Sequence, residues 1–307
     1  METFKAAAIQ LSAGPDPEEN LARAESLVTE AADSGASLVV LPELFCWSGR
    51  QTEEAAQAET VPGPTSTRLG RLAARLGIHL AGGSLLEKSE DPEHCFNSAL
   101  LFGPDGDVLA RYRKIHLFSV DIPGQATVDE RLSRGHGNES VCVTTELARI
   151  GMSICYDLRF PELYRQLAAD GAELLLVPSA FTKPTGTAHW HTLVTARAIE
   201  NQCYVVAANQ WGDTSHGFAN YGHSLIVDPW GRVLAEAGAD ERAVAQGLST
   251  IFLSVGQLVG AATLAALAAS SASAVAGYQA GFGWIAVGAV VLAVVARQLL
   301  GGATTGS

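Results

Sequence analysis

The sequence predicts a layered α/β fold built around a mixed β-sheet. Segments with helical periodicity alternate with short segments of period two, which is the pattern of βα units. Between them lie hairpin signals such as Gly103-Pro104-Asp105-Gly106, which pair neighbouring strands antiparallel. Of the 307 residues, 48% are hydrophobic, which is enough for a sizeable core.

The first half of the chain is predicted to begin with two successive cycles of helix and strand, followed by a hairpin. In order, we expect a strand at Phe4–Leu11, a helix at Glu18–Ala32, a strand at Ser37–Pro42, a helix at Ser66–Leu76, a strand at Ile78–Leu85 and hairpin strands at Asn97–Phe102 and Val108–Tyr112.

The second half begins with a segment, Phe118–Gly137, that is predicted to be a long loop, which is often a functional feature. The elements after it follow from the same periodicities. They are a strand at Ile150–Ile154, a helix at Pro161–Ala169, a strand at Glu173–Val177, a helix near Ala188–Asn201, a strand at Cys203–Ala208 and a hairpin of His223–Val227 with Arg232–Ala235.

Charge and cysteine usage limit the classes of function. The net charge of −12 disfavours nucleic acid as a partner, because binding phosphates needs clustered Lys and Arg. Five cysteines without close pairing indicate a reducing cytosol, and Glu2 and Lys5 interrupt the apolar start in a way that a signal peptide would not. We therefore expect a cytoplasmic catalytic domain that acts on a small molecule.

The C-terminal part of the chain differs sharply in composition, since no Asp, Glu, Lys or Arg occurs from Ala243 to Ala296. We accordingly expect a catalytic domain at 1–242 and an apolar helical tail at 243–307. Within the tail, Leu248–Ala268 and Tyr278–Ala296 are each about long enough to span a bilayer as a helix.

Residues 248–296 of this tail are therefore predicted to form an apolar helical hairpin associated with a membrane. Their composition is similar to that of two helices of a transporter. Gly256 and Gly260 have the GxxxG spacing of helices that pack in membranes. Arg242 and Arg297 flank the hairpin and would both lie on the cytoplasmic side. The alternative is an Ala- and Gly-rich helical tail that stays in water.

Cys155 is predicted to lie at a tight junction between the strand that ends at Ile154 and the helix that begins at Pro161. Such a junction lifts a side chain out of the sheet, and a nearby helix N-terminus favours a thiolate. These are properties of a nucleophile. The alternative is a buried and inert cysteine.

Two other chemically suitable residues follow predicted strands, namely Glu43 in Leu41-Pro42-Glu43-Leu44 and Lys114 in Arg113-Lys114-Ile115-His116. A carboxylate beside Cys155 can take the thiol proton, and a fixed ammonium can stabilise an oxyanion. If the strand ends converge, the three residues form an acyl-transfer site. Taken singly, each also has an ordinary structural explanation.

With these residues in view, the sequence from about Phe4 to Ala237 resembles the nitrilase superfamily of carbon–nitrogen hydrolases, and its Nit-type amidase branch in particular. The stretches that carry the resemblance are Arg113–Phe118 with Asp121–Gly124, Cys155–Leu163, Pro178–Phe181 and Ala196–Gln202. The resemblance implies a four-layer α-β-β-α sandwich. It also implies that Glu43, Lys114 and Cys155 are the catalytic triad, with Glu130 as a supporting glutamate.

The implied reaction is hydrolysis of a small primary ω-amide, such as deaminated glutathione or a 2-oxo dicarboxylic monoamide, through a thioester and without a cofactor. The backbone N–H of Tyr156 would help to hold the oxyanion. We expect Arg159 or Arg197 to contact a substrate carboxylate, or else to form structural ion pairs. Phe181 and His189 are expected in the wall of the substrate pocket.

The stretch His189-Trp190-His191 suggests a metal site, but positions two apart diverge on a helix, so we expect no metal ligands here. His216 and His223 are expected to be ordinary loop and strand residues. The four other cysteines lack the flanking sequence of Cys155 and are expected to be structural.

Three rival functions remain open at this point. They are an N-carbamoyl amino acid amidohydrolase, a membrane N-acyltransferase, and an inactive interaction module that recruits partners through the tail. The resemblance also ends after about Glu241, where relatives of this type continue with one more strand and a segment that packs across a homodimer. The last strand and the homodimer are therefore both in doubt.

Overall fold

The computed structural model describes residues 4–123, 126–214, 217–239 and 243–249. The helices are α1 Pro17–Asp33, α2 Glu54–Gln57, α3 Pro64–Leu76, α4 Pro161–Ala169 and α5 Lys183–Asn201. The strands are β1 Phe4–Gln10, β2 Ala36–Val40, β3 His79–Ala81, β4 Leu85–Lys88, β5 Cys95–Phe102, β6 Val108–Arg113, β7 Ser119–Ile122, β8 Ala126–Asp129, β9 Arg134–Gly135, β10 Val141–Thr144, β11 Arg149–Met152, β12 Leu174–Leu176, β13 Tyr204–Ala207, β14 Trp211–Asp213, β15 Ala219–Tyr221, β16 Leu225–Val227, β17 Val233–Glu236 and β18 Ala243–Ser249.

Two mixed sheets form the centre of the fold. The first has the order β18-β1-β2-β3-β5-β4, with β6 and β9 also paired to β5, and the second has the order β10-β11-β12-β13-β16-β17. Helices α1 and α3 pack on the first sheet, α4 and α5 pack on the second, and β1 contacts β13 and β16 between the sheets. This is the α-β-β-α sandwich that the sequence resemblance implies.

Local sequence explains how α1 forms and which face it buries. The Asp16 carboxylate accepts hydrogen bonds from the backbone of Glu18 and Glu19, and Pro17 occupies the first turn. Leu21 and Val28 lie on one face of the helix and belong to the buried core between α1 and the first sheet. The cap therefore determines where α1 begins, and the apolar stripe determines which face packs on the sheet.

The doubt about the last strand is resolved by β18. Its residues pair antiparallel with β1, with Phe4 opposite Ser249 and Gln10 opposite Ala243. Because β18 belongs to the first sheet, the catalytic part of the chain extends past 242. The predicted membrane span starting at Leu248 is wrong at its first two residues, since Leu248 and Ser249 are in this strand.

Several predicted boundaries also change. The predicted strand at Ile78–Leu85 is two strands, β3 and β4, because Gly82 and Gly83 interrupt it. The predicted loop at Phe118–Gly137 contains the hairpin β7–β8, a short 3-10 turn at Glu130–Leu132 and β9. Helix α5 begins at Lys183, earlier than the predicted Ala188.

Within the residues that the structure describes, no helix is both long and apolar enough to cross a bilayer. The remainder of the predicted tail, from residue 250 onward, lies outside the described residues. The division of the chain into a catalytic domain and a separate tail stays a prediction, with β18 on the catalytic side.

Candidate active site

Glu43 lies just after β2 and is fixed by contacts from both sheets. Its Oε1 atom accepts hydrogen bonds from Asn97 Nδ2 at 2.8 Å and Lys114 Nζ at 2.9 Å, and its Oε2 atom accepts one from the Ala180 backbone at 2.9 Å. The residue is 2% exposed. Three donors on one buried carboxylate fix its orientation.

The backbone around Glu43 is tightly constrained. Leu44 adopts a φ of 48°, which is the left-handed region, and its N–H donates to Ser84 Oγ at 3.0 Å. Gly83, with a φ of 57°, passes so close that a Cβ atom there would lie 2.1 Å from the Pro42 carbonyl oxygen. Only glycine fits at this position, and its close approach constrains the backbone at Pro42, next to Glu43.

Lys114 lies at the end of β6 and is almost fully buried. Its Nζ atom lies 2.9 Å from Glu43 Oε1 and 2.9 Å from Glu130 Oε2. Burial opposes the charge on Lys114, but Glu130 and Glu43 outweigh that effect, so the Lys114 pKa lies above its usual value. The ammonium is therefore held between two carboxylates that reach it from different segments of the chain.

The buried charges extend beyond the predicted residues. Arg134, at the start of β9, donates from Nη1 to Glu130 Oε1 at 2.5 Å and from Nε to Glu54 Oε2 at 2.9 Å. Burial opposes ionisation of Glu130, but Lys114 and Arg134 prevail and lower its pKa. Sequence reasoning missed Arg134 and Glu54, because nothing in their local sequence indicates that the two residues are buried together.

Cys155 opens a 3-10 turn at Cys155–Arg159 and has a φ of 48°. A non-glycine residue in the left-handed region is uncommon and is found where the surrounding structure enforces it. Here the Cys155 N–H donates to the Pro178 carbonyl at 2.9 Å, which anchors the turn to the neighbouring strand end. The side chain is buried in the wall of a cleft that Glu43, Ala180 and Phe118 also line.

The expectation that a helix N-terminus favours a Cys155 thiolate is wrong. Helix α4 begins only at Pro161, because the 3-10 turn comes between it and the cysteine. Burial and the Glu43 charge raise the pKa of the Cys155 thiol well above its usual value, and Lys114 only partly offsets them. In the free enzyme the thiol is therefore protonated, with Glu43 as its hydrogen-bond partner.

Asp157 ties the cysteine turn to β6 and was also missed from the sequence. Its buried carboxylate accepts hydrogen bonds from Tyr112 Oη at 2.7 Å, the His116 backbone at 3.0 Å and the Ile154 backbone at 2.8 Å. Lys114 lies between Tyr112 and His116 in the chain, so Asp157 fixes the ammonium and the thiol relative to each other.

The residues predicted to bind substrate lie together beside Cys155. The guanidinium carbon of Arg159 lies 5.7 Å from the Tyr156 ring centroid and 5.5 Å from that of Phe181. Arg159 Nη2 also lies 3.2 Å from His189 Nδ1. Cys155, Tyr156, Arg159 and Phe181 line one small recess of the cleft, and His189 lies behind Arg159 at the surface.

Arg197, the other arginine considered for a substrate carboxylate, is occupied within the fold. It is 5% exposed. Its Nε and Nη2 atoms donate to the Leu158 carbonyl at 3.1 and 2.8 Å, and Nη1 pairs with Glu200 Oε1 at 2.6 Å. Of the two alternatives, the structure places only Arg159 at the cleft.

His189 and His191 diverge on α5, as expected for positions two apart. His189 contacts Arg159, whereas His191 Nε2 lies 2.9 Å from Glu236 Oε1 on another part of the surface. The intervening Trp190 is fully buried and packs against Phe181, with ring centroids 5.0 Å apart. The two histidines therefore do not share a site.

The α-β-β-α sandwich, with Glu43, Lys114 and Cys155 buried together, defines a class of enzyme: a hydrolase with a cysteine nucleophile. Comparison with protein families agrees, since the carbon-nitrogen hydrolase model matches residues 5–249. The chain belongs to that family. It is a hydrolase that acts on carbon–nitrogen bonds other than peptide bonds.

Two similar proteins carry amidase names. The chain is 43% identical over 241 residues to the omega-amidase NIT2 of Mus musculus, covering 78% of this chain and 87% of the relative. It is also 43% identical over 241 residues to the deaminated glutathione amidase of a Synechocystis strain, covering 78% of this chain and 89% of that protein.

Two solved structures share the fold. The C. elegans NitFhit protein matches with a TM-score of 0.76 and 37% identity over 83% of this chain, which spans 63% of that longer chain. A glutamate-to-glutamine mutant of an amidase from Nesterenkonia sp. AN1 matches with a TM-score of 0.71 and 29% identity, covering 83% of this chain and 98% of the other. That amidase carries acrylamide added to its active-site cysteine.

Proposed function

We propose that the protein hydrolyses a small primary ω-amide, such as deaminated glutathione or a 2-oxo dicarboxylic monoamide, to a carboxylate and ammonia. The observation that carries this proposal is the convergence of Glu43, Lys114 and Cys155 from three segments at one buried cleft. The names of the two relatives support the choice of substrate class.

Acylation begins from the neutral thiol. When an amide enters the cleft, Glu43 takes the Cys155 proton as the sulfur attacks the carbonyl carbon. Keeping the thiol protonated until the substrate arrives protects it from unspecific reaction, since only the thiolate is strongly nucleophilic. The Lys114 ammonium and the Tyr156 N–H are suited to stabilise the oxyanion of the tetrahedral intermediate.

Collapse of that intermediate requires a proton for the leaving nitrogen, and Glu43 supplies the proton that it has just received. Ammonia leaves and the acyl group remains on Cys155 as a thioester. Glu43, again ionised, then takes a proton from a water molecule that attacks the thioester, and it returns this proton to the Cys155 sulfur as the carbon–sulfur bond breaks and the carboxylic acid leaves. The donors from Asn97 and Ala180 hold Glu43 in position for both half-reactions.

Arg159 is the group in the recess that best fits a negatively charged substrate end. It is half-buried, it lies over two aromatic rings, and its contact within the described residues is with His189 rather than with a carboxylate. A guanidinium in this setting binds a carboxylate in bidentate fashion with little reorganisation. We therefore propose that Arg159 recognises the substrate carboxylate remote from the amide.

The test is ammonia release from deaminated glutathione, 2-oxoglutaramate and an N-carbamoyl amino acid, with Cys155→Ser as the inactive control. We expect turnover of at least one of the first two and little of the third. Preference for the N-carbamoyl substrate would replace the proposal with a carbamoylase. A chain that turns over none of the three, and whose Cys155 reacts no faster with iodoacetamide than its other cysteines, would be an inactive interaction module.

We also propose that the apolar segment beyond β18 associates with a membrane. Its support is the sequence alone, since an uncharged stretch of this length buries well in hydrocarbon and exposes a large apolar surface in water. Fractionation of the expressed chain is the test. Recovery of monodisperse protein without detergent, and none in carbonate-washed membranes, would refute the association and with it any acyl transfer from lipid.

A further inference from the structure

Three potential metal ligands meet on the surface of the second sheet, away from the cleft. His191 belongs to α5, His223 precedes β16, and Glu236 ends β17. His191 Nε2 lies 2.9 Å and His223 Nδ1 lies 2.6 Å from the same oxygen, Glu236 Oε1. One ligand atom from each residue lies within 4.8 Å of the other two.

The fold holds each of these side chains from a different direction. His223 has a left-handed φ of 56°, and its carbonyl accepts a hydrogen bond from Trp190 Nε1 at 2.8 Å. The ring of Tyr221 stacks on that of His223 with centroids 4.5 Å apart. Glu236 pairs with Leu225 across the β16–β17 ladder. The three groups therefore lie close together because the backbone places them there.

In the structure, both histidines form hydrogen bonds with the same oxygen atom, Glu236 Oε1. Burial opposes the Glu236 charge, but the hydrogen bonds from His191 and His223 prevail and lower the Glu236 pKa. Two imidazole nitrogens and a carboxylate are ligands that divalent transition metals prefer. From these contacts we propose that His191, His223 and Glu236 bind a divalent transition-metal ion of the zinc class.

Binding requires only a small rearrangement. Bonds of about 2.0 to 2.1 Å in tetrahedral geometry separate ligand atoms by roughly 3.3 Å, so each nitrogen moves away from Glu236 Oε1 by less than about 1 Å. As the metal–nitrogen bonds form, His191 Nε2 and His223 Nδ1 give up their protons to solvent and the other nitrogen of each ring takes one up, so both ligands are neutral imidazoles. The side chains are 39%, 22% and 34% exposed, in the order His191, His223 and Glu236, so an ion can enter and water can complete its coordination.

The bound ion would join helix α5 to the hairpin of β16 and β17. His191 and Glu236 are 45 residues apart in the chain, so the link closes a long loop through a surface contact. Sequence spacing cannot reveal this site, because His191 meets His223 and Glu236, which lie far along the chain, rather than its neighbour His189.

The test is Co²⁺ binding to the tag-free full chain near neutral pH, followed by absorption spectroscopy and competed with Zn²⁺. We expect one equivalent with ligand-field bands and no thiolate-to-cobalt charge-transfer band, because all protein ligands are nitrogen and oxygen. His223→Ala and Glu236→Gln are each expected to weaken Co²⁺ binding at least about tenfold. Loss of a residue that only hydrogen-bonds to a metal ligand already lowers metal affinity by about 10- to 100-fold.

His94→Ala is the matched control, since His94 Nδ1 lies 2.8 Å from Asp91 Oδ2 in an exposed histidine–carboxylate pair that has one histidine. Its Co²⁺ affinity should equal that of the wild type. If His223→Ala does not fold, Glu236→Gln tests the same site. No binding, binding with a thiolate band alone, or equal affinity in the folded His223→Ala variant would overturn the proposal.

Discussion

Removal of the Arg134 guanidinium should destabilise the fold more than removal of a charge from a surface ion pair would. Arg134 and Glu54 have side chains 7% and 3% exposed, and Nη2 of the arginine lies 2.5 Å from Glu54 Oε1. At an effective dielectric constant of about 20, unit charges about 3 Å apart attract by about 5 kcal/mol. In Arg134→Met, Glu130 keeps Lys114, but among the described residues Glu54 keeps only the Ser133 hydroxyl at 2.7 Å.

Loss of one partner from a buried pair costs about 3 to 5 kcal/mol, because the remaining charge is uncompensated, and we expect that loss for Arg134→Met. Combining it with Glu54→Gln removes the orphaned charge, so the double variant should lose less than the sum of the single variants by about 1 to 3 kcal/mol. Urea unfolding at neutral pH measures these differences, and Arg131→Met is the control.

Arg131 pairs with Asp129 at 2.7 Å, but its side chain is 65% exposed, so its removal should cost much less than that of Arg134. The reasoning would be refuted if Arg134→Met cost no more than Arg131→Met. It would also fail if the changes at Arg134 and Glu54 were simply additive, because the two charges would then act independently.

Three further outcomes follow from the site and the core. Glu43→Gln should lower kcat for ammonia release by about 10² to 10⁴ while the circular dichroism spectrum is retained, and a smaller loss would mean that another group moves the proton. Gly83→Ala should abolish activity and lower the unfolding free energy, because the new Cβ would meet the Pro42 carbonyl; unchanged activity in kinetic assays would contradict that account. Burial raises the pKa of Cys95 to about 11 and that of Cys203 to about 12, so the folded thiols keep protons that the unfolded thiols lose above about pH 8.5. The unfolding free energy should therefore fall with rising pH by up to about 1.4 kcal/mol per unit for each thiol, and urea titrations of the Cys203→Ala variant should show a shallower fall.

The sequence predicts the fold best where local patterns are strong. The elements β1, α1 and the hairpin of β5 with β6 have clear periodicity, a capped helix start or a turn signal, and each lies near its predicted position. The sequence predicts the fold less well where pairing between strands that are distant in the chain decides the structure. Strand β18 lies in a stretch whose lack of charge suggested a membrane helix, and only its pairing with β1 identifies it as a strand.

In the candidate site too, local sequence indicates some residues, whereas only the fold reveals others. Glu43, Lys114 and Cys155 follow strand ends, so their convergence could be anticipated from the chain order. Arg134 and Asp157 could not be found in this way, because their importance lies in burial and in partners far along the chain. The raised pKa of Cys155 was missed for a related reason, since burial and the nearby carboxylate outweigh the distant helix N-terminus.

The pairing of β1 with β18 has a consequence for how the protein is made. The strand that starts the first sheet finds its outer partner only after residue 249 has been synthesised, so during translation one edge of β1 has no neighbour. Contacts of such high sequence separation slow folding, and an unpaired apolar strand is prone to associate with other chains. Nascent chains that end before Ala243 should therefore depend on chaperones more than the full chain does, and the yield of active enzyme should be set late in synthesis.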